Sequence, residues 1–200
     1  MNLYFVPNDP EHTTLVSTNG VAQYRIVTSK AGALKSPSIT RINRPADSAL
    51  DSIIGEIEWR RYGFHPVVQS HVFDGLDQKI EIRELLYKIG STFSTARYFL
   101  GNDNEEYRWK YANGSGYVLT HRLTGEEIAR FAREIVKEGF FRGEGKWALK
   151  IRPTSLDIDL VVLTFIILEK RRRDTLKNAP QKAIDREEAP CESGVEVGGV

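Results

Sequence analysis

The sequence predicts a mostly β domain, an antiparallel barrel or strongly bent sheet wrapped around one apolar helix near the C-terminal end. Three observations predict it. Short runs rich in β-branched and aromatic residues recur between residues 22 and 152, separated by turn signals. One late segment, Leu160-Val161-Val162-Leu163-Thr164-Phe165-Ile166-Ile167-Leu168, is apolar all round. Residues on both sides of it read as helix ends. A helix with no polar face is normally enclosed by protein, and strands wound around it leave no exposed sheet edge.

The elements follow in order. Ala22 to Val27 is β-branched and roughly alternating, and Ile39 to Arg44 is a weaker strand. Ile53, Gly55, Ile57 and Trp59 share one face of the next run, with Glu56 and Glu58 on the other. Val67 to Phe73 ends at the turn dipeptide Asp74-Gly75, and Lys79 to Arg83 returns as its partner. Residues 82–89 fit either a short helix or a strand. A hairpin follows, from Thr95 to Leu100 and from Glu106 to Tyr111, with Tyr107, Trp109 and Tyr111 on one face and Arg108 and Lys110 on the other. Asn113-Gly114-Ser115-Gly116 turns into the strand at Tyr117 to His121. In 125–137, Thr124-Gly125-Glu126-Glu127 resembles a helix start and Ile128, Phe131 and Ile135 recur at helical spacing. Alternation also permits a strand there, and periodicity alone leans helical. In the last strand Trp147, Leu149 and Ile151 face in.

The closing helix spans about 155–173, with Thr154-Ser155-Leu156-Asp157 as a capping box and Lys170, Arg171, Arg172 and Arg173 at its negative end. At about 1.5 Å per residue its apolar run covers roughly 14 Å, against roughly 30 Å of bilayer hydrocarbon. It is too short to span a membrane. A buried strand competes, because β-branched residues are poor helix formers; length and caps favour helix.

Residues 1–174 form one domain. The segment 175–200, charged, aromatic-free and carrying Pro180 and Pro190, cannot bury enough apolar surface to order itself and reads as a disordered tail. Lys+Arg 28 against Asp+Glu 27 leaves no general attraction to nucleic acid or membrane, so any basic site is a local patch. The single cysteine, Cys191, excludes an intrachain disulfide. The opening residues have no basic stretch and too short an apolar run for a signal peptide, so an intracellular, cytoplasmic setting is expected.

Ile53-Ile54-Gly55-Glu56-Ile57-Glu58-Trp59, Arg97-Tyr98-Phe99, Glu106-Tyr107-Arg108-Trp109-Lys110, Ile128-Ala129-Arg130-Phe131 and the closing Leu-Asp-Ile-Asp-Leu-Val-Val-Leu-Thr helix resemble a fungal family of unknown function. That family is similar to the tubby C-terminal-like and LURP-one-related barrels, in which strands wind around a central hydrophobic helix. The resemblance covers about residues 1–173. It implies that 128–131 is strand. It also implies a ligand class, since tubby domains bind phosphoinositides and scramblases are distant relatives. No lipid-contacting residue can be matched position by position.

Catalytic chemistry finds little support. His65 and His71, on one extended strand, would stand about 20 Å apart and share no metal. Cys191 lies in the tail with no base to activate it, and Gly114-Ser115-Gly116 lacks the full nucleophile-elbow pattern. Gly143-Glu144-Gly145-Lys146 is not a phosphate-binding loop, and Asp74 with Asp77 reads as turn chemistry. No catalytic residue, metal or cofactor is expected. Two basic groups are candidate sites: Arg97, Arg108 and Lys110 as a phosphate-sized patch on the hairpin, and Arg171, Arg172 and Arg173 for anionic lipid heads. The competing account of each is a solvated face, the first balanced by Glu105 and Glu106. The leading reading is a non-enzymatic binding or scaffold domain, for anionic phospholipid, phosphoinositide or a protein partner. The alternatives are a peripheral membrane protein anchored by the apolar helix and an unrecognised hydrolase.

Overall fold

The computed structural model describes residues 1–29, 37–45, 53–60, 64–73, 78–90, 94–112 and 116–177. The strands are β1 (Asn2–Val6), β2 (His12–Ser17), β3 (Ala22–Ser29), β4 (Ser38–Asn43), β5 (Ile53–Trp59), β6 (Val67–Ser70), β7 (Ile80–Glu81), β8 (Arg97–Leu100), β9 (Glu106–Ala112), β10 (Gly116–His121), β11 (Glu127–Ile135) and β12 (Gly145–Ile151). A four-residue helix α1 (Ile82–Leu85) lies between β7 and β8, and α2 (Ile158–Lys177) closes the chain.

All twelve strands form one sheet in the order β7-β6-β5-β4-β3-β2-β1-β12-β11-β10-β9-β8. Every pairing is antiparallel. Neighbouring strands are successive in the chain everywhere except where β12 joins β1, and β7 and β8 are the one successive pair that are not neighbours, so hairpins build nearly the whole sheet. The sheet is not closed: its edge strands β7 and β8 do not pair with each other. Between them lie α1 and one isolated bridge, in which Tyr87 and Tyr98 exchange backbone hydrogen bonds of 3.0 and 2.9 Å.

The sheet's concave face is built by the predicted alternation. Ile57 and Trp59, Tyr107 and Trp109, and Leu149 and Ile151 are buried as same-parity pairs. All the side chains from Leu160 to Leu168 are buried, and they join the same core as these strand residues. Phe165 sits at the centre, its ring 4.5 Å from that of Phe131, 5.6 Å from Phe5, 5.8 Å from Trp109 and 6.0 Å from Tyr117. These five rings come from β1, β9, β10, β11 and α2, so the helix is gripped from several directions. A Cβ on Gly55 would stand 3.2 Å from the Gln69 carbonyl oxygen and 3.3 Å from Leu163 Cδ1, so β5 passes close to both β6 and the helix there.

Thr164 is the one polar residue in this apolar run, and it is fully buried. Its hydroxyl donates back to the Leu160 carbonyl at 2.7 Å and accepts from Trp109 Nε1 at 3.0 Å. Both polar groups are thereby satisfied inside the core. A second, smaller cluster of Tyr4, Val136, Phe141 and Ala148 lies on the sheet's other face, where residues 136–144 fold over β1 and β12.

Several expectations are corrected. Residues 127–135 are strand β11, not helix: Ala129 and Phe131 stand opposite Ile151 and Leu149, and Ile135 is 72% exposed, so the helical spacing has no common face. Gly125, at φ +71°, makes a turn whose amide returns to the His121 carbonyl, where a helix start had been expected. Residues 82–89 use both alternatives in succession, helix α1 and then the Tyr87 bridge. The closing helix begins at Ile158 and runs to Lys177. Asp157 is its cap, its carboxylate accepting the Asp159 amide at 2.8 Å and its carbonyl the Val161 amide at 3.1 Å. β6 ends at Ser70, short of the expected Phe73. Asp74, Gly75, Asp77, the Asn113-Gly114-Ser115 turn and the segment 178–200 with Cys191 lie outside the described residues.

Phe165→Ala leaves a cavity that the four surrounding rings cannot collapse into, and it is expected to cost about 3–5 kcal/mol. Leu123→Ala, at a side chain 81% exposed, is expected to stay within about 0.5 kcal/mol. Urea denaturation of both variants, compared at constant m-value, checks the pair.

Candidate anion-binding site

An apolar helix inside a sheet has its polar chemistry at its two ends, and the ends of α2 differ. At its start, Asp159 is buried and faces three strands' worth of partners. The Tyr24 hydroxyl donates to its carboxylate at 2.7 Å, Arg44 forms an ion pair with it, and His71 Nε2 lies 3.8 Å away. Burial raises the Asp159 carboxyl above its ordinary value, against the lowering pull of Tyr24 and Arg44. Burial likewise pushes the Tyr24 hydroxyl up. Next to this cluster, Asp103 accepts from Tyr107 at 2.7 Å and from Ser155 at 2.8 Å, fixing the entry to the helix against the β8–β9 turn.

The other end is basic. Glu169 is almost fully buried and is clamped by Arg172 at 2.8 and 2.9 Å and by Arg173 at 2.7 Å. Arg173 also donates to the carbonyl and the side chain of Asn8, tying the helix to the β1–β2 connection. Lys170 is buried beside Glu11 at 2.8 Å and Asp174 at 2.9 Å, with its ammonium 4.9 Å from the Trp59 ring. These two carboxylates raise the Lys170 ammonium despite burial, and Lys170 in turn lowers Glu11.

Two guanidiniums at this end have no such arrangement. Arg97 stands opposite Trp109 in the β8–β9 register and has the same parity as the buried Phe99, so it lies on the sheet's inner face. Among the described residues it donates only to backbone carbonyls, Ala96 at 2.9 Å and Ser94 at 3.3 Å. Arg171 is exposed to solvent. Loss of hydration lowers both groups from the ordinary arginine value, and the charge of Arg171 lowers Arg97 further. Both face Tyr117, whose hydroxyl donates to the Leu168 carbonyl at 3.4 Å and is pushed up to about 12 by burial. Tyr111 packs edge-on against Tyr117 at 5.2 Å, and Arg172 lies 5.2 Å from the Tyr111 ring. Among the described residues, neither Arg97 nor Arg171 has a carboxylate partner. Guanidiniums without a carboxylate partner keep donors that an anion can engage.

The profile of a family of unknown function, DUF6593, matches residues 8–174. The chain belongs to the DUF6593 family. No curated protein and no solved structure gives a significant match. The family match covers β2 to β12 and nearly all of α2 but not β1, and the chemistry of this DUF6593 chain has to be read from its own side chains.

The six basic residues singled out in the sequence fall into three settings. Arg97 and Arg171, taken from the two separate candidate groups, are near enough for the charge of Arg171 to lower Arg97. Arg172 and Arg173 are held by Glu169. Arg108 and Lys110 lie on the opposite face of β9 from Trp109, with Arg108 paired in register with Tyr98 and Thr120. The carboxylates expected to balance them are otherwise engaged: Glu106 binds Arg122 and the Tyr87 hydroxyl, and Glu105 lies 3.4 Å from His121. The sequence did contain the signal that separates Arg171 from its neighbours. Glu169 has Arg172 and Arg173 at the i+3 and i+4 positions of a helix, and Arg171 at the i+2 position points elsewhere.

A hydrolytic constellation at the start of α2 is incomplete. Ser70, next to His71, spends its hydroxyl on the Ile54 carbonyl at 2.5 Å, and His71 Nδ1 faces the Ile53 carbonyl at 3.2 Å. Among the described residues no group of three or more His, Cys, Asp or Glu side chains is placed to hold a metal. No helix among them is long and apolar enough to cross a membrane.

Glu11 titrates below its ordinary value because of Lys170, so this pair stabilises the fold above the unfolded-state carboxylate value of about 4.3 and the contribution is lost as pH falls through the lowered value. Lys170→Met removes that linkage. The variant is expected to lose less stability than the parent chain between about pH 5 and pH 3, measured by urea denaturation at each pH.

Proposed function

We propose that this DUF6593 chain is a non-enzymatic binding domain whose basic end meets anionic phospholipid, phosphoinositides included. In this reading its sheet is a barrel of the tubby C-terminal-like and LURP-one-related kind, with the stretch from α1 to Tyr87 carrying the seam between β7 and β8. The observation that carries the functional proposal is that Arg97 and Arg171 have no carboxylate partner among the described residues, while Arg172 and Arg173 share Glu169. Among the described residues, six cations, Arg97, Lys170, Arg171, Arg172, Arg173 and Lys177, stand around the C-terminal half of α2 against three carboxylates, Glu11, Glu169 and Asp174. A basic excess confined to one end suits a surface of headgroups better than a dispersed polyanion. The chain's balanced net charge of +1 fits a local electrostatic contact.

Co-sedimentation of the full chain with phosphatidylcholine vesicles, with and without phosphatidylserine or a phosphoinositide, tests this at two salt concentrations. Binding is expected only with the anionic lipids and is expected to weaken with salt. At about 1 kcal/mol per basic group near an anionic surface, Arg97→Gln with Arg171→Gln is expected to lower binding about tenfold or more. Arg108→Gln with Lys110→Gln, on the other face, is expected to change it by less than about twofold. Equal binding to neutral vesicles, or full binding by the Arg97/Arg171 variant, would contradict the proposal.

A further inference from the structure

We propose that Thr175 is a phosphorylation site for an arginine-directed Ser/Thr kinase, and that its phosphate cancels much of the basic excess at the end of α2. The site itself is independent of the lipid reading, and only its effect on vesicle binding rests on that reading.

Three observations meet at this residue. First, in Arg171-Arg172-Arg173-Asp174-Thr175-Leu176 the acceptor hydroxyl has arginines at the third and second positions before it. Kinases that choose substrates by charge read arginines at those two places through acidic pockets. No other serine or threonine of the chain has arginine at both; Ser155 has Arg152 at the third place and Pro153 at the second. Second, the acceptor can be reached. Residues Asp159 to Lys170 of α2 are buried, whereas Thr175, Leu176 and Lys177 are exposed, so the helix emerges from the sheet in its last turn. Third, the Thr175 hydroxyl donates to the Arg171 carbonyl at 2.9 Å, which places it one turn beyond Arg171 on the same side of the helix. Arg171 has no carboxylate partner among the described residues, while Lys170, Arg172 and Arg173 are paired.

In the transfer, the Thr175 hydroxyl gives its proton to the kinase's catalytic carboxylate and forms an O–P bond to the γ-phosphorus of ATP. The bond from that phosphorus to the β–γ bridging oxygen breaks, and ADP leaves. The last turn has to open for the kinase to read it, and opening releases Arg172 and Arg173 from Glu169. The folded chain is therefore a slower substrate than a free peptide of residues 168–180. Once in place, the phosphate lacks the hydroxyl's bond to the Arg171 carbonyl and meets the negative end of the helix, which loosens the turn. The Arg171 guanidinium supplies its counter-charge. A phosphate charge of about −1.5 to −2 brings the excess of six cations over three carboxylates among the described residues of this end down to about one.

The full chain, incubated with a purified arginine-directed kinase, Mg²⁺ and ATP, is read by mass mapping. One phosphoryl group is expected on Thr175, retained at that position in Thr175→Ser and absent in Thr175→Ala. No incorporation, or incorporation at Ser155 or elsewhere with Thr175 unmodified, would overturn the proposal. Phosphorus NMR of the modified chain is expected to show the second phosphate ionisation below its ordinary value of about 6, moving back up in Arg171→Gln. The same ionisation in both proteins would overturn the part given to Arg171. Phosphatidylcholine vesicles containing phosphatidylserine are expected to bind the phosphorylated chain about tenfold or more weaker than the unmodified chain. Equal binding would overturn the regulatory claim. Phosphorylation at Thr175 in a chain whose unmodified form ignores these vesicles would remove the lipid reading alone.

Discussion

A helix that is apolar on every side cannot be left facing water anywhere along its middle. The run 160–168 of α2 imposes that condition, and the sheet around it is the response. Burying each large aliphatic side chain is worth about 1.5–3 kcal/mol, so the enclosure of this one helix is a leading gross term in stability. One sheet face must supply all the covering surface. That explains why all twelve strands belong to one sheet, why their inner positions are large and apolar, and why the first strand β1 joins the last strand β12 beside the helix. The Trp109–Thr164 hydrogen bond is a local adjustment to the same condition.

Filling the interior with side chains moves the polar chemistry to the two ends. At the start of α2, Asp159 is bound by Tyr24 of β3 and by Arg44 just past the end of β4. At its end, Glu169 and Lys170 are bound by the helix's own arginines and by Glu11. Buried pairs of this kind add little net stability, because desolvation offsets their attraction. Removing one partner is costly, however, so they set the depth and rotation at which the helix sits. Arg97 and Arg171 are the exceptions: neither has a carboxylate partner among the described residues.

Much of this was legible in the sequence, for identifiable reasons. β5, β9 and β12 alternate cleanly because one face packs on α2 and the other meets solvent. The helix was readable because apolar length, an acidic start and a basic end agree. β1 and β2 went unread because alternation fails there. Tyr4 packs into the outer cluster with Phe141 while Leu3 and Phe5 pack on the core, so β1 is apolar on both faces. In β2 the buried Thr13, which donates to the Pro7 carbonyl at 2.6 Å, disguises an inner position as polar. β11 resembled a helix because Ile135, at its solvent-facing end, falls in phase with Ile128 and Phe131. The nearness of Arg97 to Arg171 was out of reach, since it depends on the β8–β9 register and on the rotation of α2. The parity of Arg97 with Phe99 did hold half of that answer.

The central claim is that α2 is permanently enclosed and that binding, where it occurs, uses the ends of the domain. Native-state hydrogen exchange of the amides at 160–168, with and without anionic vesicles, tests it most directly. The account predicts that these amides exchange only through global unfolding, with the same free energy as urea denaturation, and that vesicles do not speed them. Exchange at a markedly lower free energy, or acceleration on contact with vesicles, would mean that the helix leaves the core, and would contradict the account.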